Sequence, residues 1–316
     1  MQAAVVNVLG QPPAYQSFPD PAPGEGEVLI HVRAAGLHPI VKGLAAGTHY
    51  ASSGELPMVP GLDGVGTLED GSRVYFAFAR RPWGAMGELS VAPRNRCLPV
   101  PAGLDDAVAA AIANPGMSAW LSLKNRAAVS RGESVLILGA TGVAGQLAIQ
   151  AARHLGAKRV VGAGRNVQSL ADAGLDAVIN LTEPEDAIRE AFVAEARNGI
   201  DVIIDYLWGR PTELLLEALA RGFRQDVVRS TRLVEVGASA GSTIHMPAAI
   251  LRSMDLKILG SGFGAVDLAG VFAAIPRLFD LANEGVFRIH VDRVPLSDVT
   301  AAWTRKMEGS RIVFLP

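Results

Sequence analysis

The sequence predicts an α/β chain in which a β-rich domain accompanies a doubly wound parallel sheet. Three observations carry this expectation. The length, 316 residues, set against about 150 residues for a typical domain, argues for about two domains. Up to about residue 100 the chain reads as short strands between glycines and prolines. Beyond Asp105, strand-like apolar runs alternate with helical ones, the pattern of a parallel sheet covered on both faces.

Taken in order, Met1 to Val6 reads as a strand that enters a proline-rich surface loop, Pro12 to Pro23. It lacks the basic start of a signal peptide. In Glu27 to Ala34, the residues Val28, Ile30, Val32 and Ala34 share one face, while His31 and Arg33 occupy the solvated one. Arg73 to Ala79 and Glu88 to Val91 are further short strands. Asp105 and Asp106 open a helix through Ala113. The buried strand Ser134 to Leu138 follows Gly132-Glu133, and a helix over Gln146 to Leu155 stops at Gly156. Strand cores recur at Arg159 to Ala163, Ala177 to Asn180, Val202 to Asp205, Leu233 to Gly237 and Lys257 to Leu259. A helix, Ala265 to Asn283, and a last strand, Arg311 to Leu315, are expected to fold back onto the first domain. The expected division is therefore 1–117 with 260–316, interrupted by 118–259.

Composition excludes several function classes. One cysteine, Cys97, excludes an intramolecular disulfide framework and a cysteine-rich zinc module, and points to a reducing, cytoplasmic compartment. With 29 Lys+Arg against 31 Asp+Glu and no dense basic stretch, nucleic acid is not an expected partner. The longest apolar stretch, Phe263 to Leu281, contains Asp267 and Pro276, so no membrane span is expected either. A hydrophobic share of 49% supports a large buried core.

The most informative segment is Gly139-Ala140-Thr141-Gly142-Val143-Ala144-Gly145, set between a buried strand and a helix. It matches the dinucleotide fingerprint as Ala140-x-Gly142-x-x-Gly145, with alanine in place of the first glycine. Small residues permit a tight turn, backbone approach to a pyrophosphate and close helix packing; the helix dipole and exposed amides hold the anion. An acidic residue about 20 positions on would bond the ribose hydroxyls of NAD. Here Gly162-Ala163-Gly164-Arg165-Asn166 offers no carboxylate. A guanidinium beside an amide suits a 2′-phosphate, so NADPH is expected over NADH, with Arg165 as discriminator and Asn166 beside it.

Several ordered motifs then make the chain resemble the medium-chain dehydrogenase/reductase superfamily, in its zinc-independent quinone oxidoreductase branch. They include Pro23-Gly24-x-Gly26-Glu27-Val28, Ala35-Gly36-Leu37-His38-Pro39, Val59-Pro60-Gly61-Leu62-Asp63-Gly64, Gly116-Met117-Ser118-Ala119-Trp120 and Arg232 to Gly237. The resemblance implies a GroES-like β-rich catalytic domain and a Rossmann cofactor domain. Zinc-dependent relatives place a Cys after the Ala-Gly segment and use a Gly-His-Glu triplet. Here Leu37 and Gly61-Leu62-Asp63 stand there, so no metal is expected.

What the resemblance implies about chemistry is hydride transfer to a quinone or an α,β-unsaturated carbonyl, where hydrogen-bond donors suffice to receive the charge on oxygen. Tyr50, in Gly47-Thr48-His49-Tyr50, matches a tyrosine over the substrate pocket. His38 takes a position usually held by Asn, either as a titrating donor or as a structural hydrogen-bonder. Ser118 and the backbone of Gly237, Ala238 and Ser239 are implied to flank the nicotinamide, with Phe263 bordering the pocket. Gly237-Ala238-Ser239-Ala240-Gly241 also spells a serine-hydrolase elbow, but no helix is expected directly after the serine. By the same resemblance, a homodimer through the strand at Lys257-Ile258-Leu259 is implied. A ten-residue insertion, Gly222 to Thr231, has no explanation in sequence. A non-catalytic NADPH-binding protein and a pathway-specific enoyl reductase are the competing functions.

Overall fold

The computed structural model describes residues 1–222, 229–262, 264–306 and 309–316. Two compact units emerge: Met1–Pro115 with Ile275–Pro316, and Gly116–Ala274.

In chain order the first unit contributes β1 (Gln2–Val5), β2 (Ala14–Ser17), β3 (Glu27–Gly36), α1 (Pro39–Ala45), β4 (Asp63–Thr67), β5 (Arg73–Ala77), β6 (Leu89–Pro93) and β7 (Cys97–Pro99). β3 alternates as its sequence dictates, with Ile30, Val32 and Ala34 buried and His31 and Arg33 exposed. The alternation ends at Ala35 and Gly36, both buried, where a strand from the far end of the chain pairs with it.

The helix opened by Asp106 does not stop at Ala113. α2 (Asp106–Leu121) continues through Pro115 and into a π-helical turn at Ser122–Arg126. Proline removes one backbone donor and normally breaks a helix. Here Ala110 to Ala113 on one side and Ala119 to Leu123 on the other are almost wholly buried, so packing on both sides overrides the local preference.

The second unit then runs β8 (Ser134–Leu138), α3 (Val143–His154), β9 (Arg159–Gly164), α4 (Val167–Asp172), β10 (Ala177–Asn180), α5 (Glu185–Asn198), β11 (Val202–Asp205), α6 (Gly209–Arg221), β12 (Ser230–Glu235), α7 (Ala248–Ser253) and β13 (Asp255–Gly260). Its six strands lie in the order β10-β9-β8-β11-β12-β13 and all pair in parallel. β8 and β11 are buried at every position, which is why both read as unbroken apolar runs. The order runs outward from β8 in one direction and from β11 in the other. Their carboxyl ends, Leu138 and Asp205, are register partners. That boundary is the switch point where open parallel sheets bind ligands.

α8 (Leu268–Asn283) carries the chain back to the first unit, followed by β14 (His290–Pro295), α9 (Val299–Trp303) and β15 (Ser310–Leu315). The return begins at Ile275 rather than at residue 260, because residues up to Ala274, including the start of α8, belong to the second unit. β15 lies between β14, which it pairs in parallel, and β3, which it pairs antiparallel. Ile30, Leu37, Phe76, Met86, Trp303 and Phe314 share one core there. Each large apolar side chain so enclosed contributes roughly 1.5–3 kcal/mol. Among the described residues, no helix is long and apolar enough to cross a membrane.

Candidate functional site

At the end of β8 the chain turns through Gly139 to Gly142 and enters α3 at Val143, with Gly142 as an N-cap that lends no side chain. The first amides of a helix have no intrahelical acceptor, so those of Val143, Ala144 and Gly145 face outward with the positive end of the helix dipole. Gly145 cannot be anything larger: a Cβ there would clash with the Gly139 carbonyl oxygen and stand 2.8 Å from the Ala140 Cα. The amides of Gly139 and Ala140 are tied down, both donating to the carbonyl of Ala163 on β9 at 2.9 and 3.0 Å. Gln146 closes the loop by donating to the Thr141 carbonyl at 3.2 Å. The result is a turn of small residues held in place by its own hydrogen bonds at the mouth of α3.

β9 ends one residue short of Arg165, which is exposed. Asn166 caps α4, its carbonyl oxygen accepting from the Ser169 amide at 3.0 Å. The amide side of Asn166 and the Arg165 guanidinium therefore provide donors at the end of the second strand, with no acid beside them.

On the other side of the switch point the turn after β11 is held by one carboxylate. Asp205, fully buried, accepts from the amides of Leu207 and Trp208 at 2.8 and 2.9 Å and from the Thr212 hydroxyl at 2.6 Å. Burial raises its pKa while those three bonds work against the rise. Trp208 sits at φ +54°, a left-handed conformation that a bulky residue adopts only when its surroundings impose it. Tyr206 accepts at its carbonyl from the amide and the hydroxyl of Ser239. That hydroxyl bond and the absence of a helix before Ala248 leave no nucleophile elbow at Ser239. Gly237, Ala238 and Ser239 thus line the neighbouring turn. The Tyr206 side chain, which sequence reasoning missed, has a buried hydroxyl facing Ser118. Burial pushes its pKa upward.

The two expected catalytic residues of the first unit are placed very differently. His38 is completely enclosed. Its Nε2 lies 3.3 Å from Asp63 Oδ1, and the other oxygen of that carboxylate accepts from the Tyr75 phenol at 2.8 Å. Arg311 of β15 donates to the Leu37 carbonyl at 2.9 Å. Burial holds the His38 pKa below its ordinary value, with Asp63 pulling the other way; burial likewise brings Arg311 down to about 10. An enclosed ring offers no surface to a ligand. Of the two roles expected of His38, titrating donor and structural hydrogen-bonder, its enclosed placement supports the second. Tyr50 is the opposite case, 74% exposed in the loop after α1 with its ring against His49. At the former metal-ligand positions, Leu37 is buried and Leu62 half-buried against the same core. Among the described residues no three His, Cys, Asp or Glu side chains gather as a metal site. Phe263 and residues 223–228 of the insertion lie outside the described residues.

A doubly wound sheet with a glycine-lined cradle at its switch point, in one chain with a separate β-rich unit, is the architecture of a dinucleotide-binding protein. No family model matches the chain. Human quinone oxidoreductase is 32% identical over 253 residues, 75% of each chain. A probable NADPH-dependent quinone reductase of Emericella nidulans is 26% identical over 357 residues and is covered completely, as is this chain. Among solved structures, a mycobacterial protein in complex with NADPH superposes with a TM-score of 0.81 at 27% identity, with 100% of both chains covered. The chain belongs to the quinone oxidoreductase family of medium-chain dehydrogenases/reductases.

Proposed function

We propose that the protein is an NADPH-dependent, zinc-independent reductase acting on a quinone or an α,β-unsaturated carbonyl, with the second unit holding the cofactor and the first carrying the substrate. One observation carries the reading: the cradle Ala140 to Gly145 lies at the switch point, and the strand beside it ends in Arg165 and Asn166 with no carboxylate. The cofactor fits this chain's own residues, since the space beside the exposed Gly142 that a Cβ would take holds only the Gly139 carbonyl oxygen, at 3.4 Å. The amides of Val143, Ala144 and Gly145 bind the pyrophosphate, and Arg165 pairs with the 2′-phosphate. Ser118 and the turn Gly237 to Ser239 flank the nicotinamide. Bound there, NADPH supplies a hydride. Tyr50 donates a hydrogen bond to the substrate oxygen that gains negative charge, which is the task left to the protein when no Lewis acid is present.

Two coarser features extend the reading. β13 is an edge strand whose Asp255, Lys257 and Ile258 are exposed, and an unpaired edge of this kind is a template for a second copy; a homodimer through Lys257-Ile258-Leu259 follows. Cys97 is a half-buried free thiol whose pKa burial raises, in keeping with a reducing, cytoplasmic setting.

Initial rates with NADPH and NADH on a panel of quinones and enones test the proposal. We expect NADPH to be preferred and Arg165→Glu to lose about a hundredfold in kcat/KM with NADPH while keeping its rate with NADH. Equal use of both cofactors, or an unchanged Arg165→Glu, overturns the assignment of Arg165.

A further inference from the structure

We propose that Tyr206 is a positioning residue for the nicotinamide half of the cofactor and acts through Ser118: its phenol bonds the Ser118 oxygen and turns the Ser118 proton toward the ligand. The inference rests on the cofactor reading above and assigns a role to a residue that reading does not use.

Placement is the first argument. Tyr206 is the residue after β11, whose last residue pairs in register with the last residue of β8. The adenosine half is claimed by the β8–β9 side, where the cradle and Arg165 stand, so the ends of β11 and β12 are left for the nicotinamide. The turn carrying Tyr206 touches the cradle directly: a Cβ on Gly139 would lie 3.2 Å from both the Tyr206 Cβ and a methyl of Leu207.

The second argument is the state of the phenol. Its oxygen is buried and faces the Ser118 hydroxyl without completing a bond of good geometry, and no other partner bonds it among the described residues. Buried hydroxyls in settled cores are almost always bonded. One that stops short of a neighbouring serine, at the end of a central strand, suits a pair that tightens when the serine acquires a ligand of its own. A hydroxyl that accepts from one neighbour must aim its proton elsewhere. With the phenol as donor, Ser118 is left as a donor to an acceptor such as the nicotinamide carboxamide oxygen or a ribose hydroxyl.

The third argument is rigidity. Asp205 clamps the turn with three hydrogen bonds, Ser239 adds two to the Tyr206 carbonyl, and Trp208 is held in a left-handed conformation. Such over-determination is what fixes a group whose direction matters.

The test is equilibrium binding to the full-length protein, followed by NADPH fluorescence and by calorimetry with 2′-phospho-ADP-ribose, which lacks the nicotinamide. Tyr206→Phe removes one oxygen and keeps the packing. It is expected to weaken NADPH by about tenfold, the scale of one lost hydrogen bond, and to leave 2′-phospho-ADP-ribose unchanged. Ser118→Ala should do the same, Ser118→Thr should restore binding, and the double variant should be no weaker than Ser118→Ala. Unchanged NADPH affinity in Tyr206→Phe, equal losses for both ligands, or a double variant whose loss multiplies the two single losses each overturns the proposal. Wild-type protein that binds neither ligand overturns the cofactor reading and this proposal with it.

Discussion

At the end of β8 and at the end of β3 the chain turns beside a residue that cannot carry a Cβ. At Gly145 the space is taken by the backbone of Gly139 and Ala140, while the first amides of α3 have no intrahelical acceptor. At Gly36 the space is filled: a Cβ there would stand 2.6 Å from the His38 Nε2 and 2.8 Å from the Ala110 carbonyl oxygen. Both sites gather polar groups where apolar strands end. In the second unit these are backbone donors on the surface of a cradle. In the first they are titratable side chains, Asp63, His38 and Arg311, shut in by the core, with His38 beside Asp63. The contrast teaches that polar character at a strand end is not by itself a sign of a binding site. What separates the two is whether the donors are enclosed.

Substitutions at the two glycines sharpen this contrast, and the larger effect belongs to Gly145. Gly145→Ala drives a methyl group into the Gly139 carbonyl and must displace the loop. NADPH affinity is expected to fall by more than about a hundredfold, near 3 kcal/mol, and the melting temperature to fall with it, because the atoms displaced are backbone; calorimetric titration beside a thermal melt reads both. Gly36→Ala should change stability alone. Displacing the His38 ring and the α2 backbone costs about 1–3 kcal/mol of stability, read by urea denaturation, while NADPH affinity stays within twofold. If Gly36→Ala loses the cofactor instead, the enclosed cluster is part of the binding machinery and the distinction fails.

The smallest expected effect is the pH dependence of the cluster. The His38 pKa in the folded chain lies below its ordinary value of 6.5, so the unfolded chain takes up the proton more readily. The contribution to stability is complete above 6.5 and is lost as pH falls below it. Melting temperature should therefore drop by a few degrees between pH 8 and pH 5, and His38→Asn should flatten that slope. A slope identical in both proteins means that other groups carry it.

How much of this was legible in sequence follows the same division. Ser134–Leu138, Ala177–Asn180 and Val202–Asp205 have their expected limits; the first and last are buried at every position and so read as apolar runs, while Ala177–Asn180 is an edge strand with Val178 exposed. The cradle was legible because its chemistry is local: small residues, contiguous, between strand and helix. The enclosed cluster was not, since it sets His38 against Asp63 and Arg311 on the Leu37 carbonyl, residues far apart in sequence, and no spacing reveals which way a side chain turns. α2 runs past its expected end at Ala113 because packing on both sides of Pro115 decides. β14, with Asp292 and Arg293 in its middle, lacks the apolar period that would have marked it. Tyr206 had no motif at all; only the register of β11 against β8 brings it to the switch point.

The position of β15 has a consequence for the order in which the protein can be made. The second unit spans Gly116–Ala274 and has all its strands once that stretch has left the ribosome. The first cannot close until residues 310–315 arrive, because β15 stands between β14 and β3 and brings Phe314 into the core. For as long as the roughly 275 residues from Gly36 to Ser310 take to synthesise, about 14–55 s at bacterial or eukaryotic rates, the edge of β3 at Ala35 and Gly36 lacks its β15 partner. That edge, rather than the cofactor sheet, is where newborn chains of this protein are open to pairing with one another.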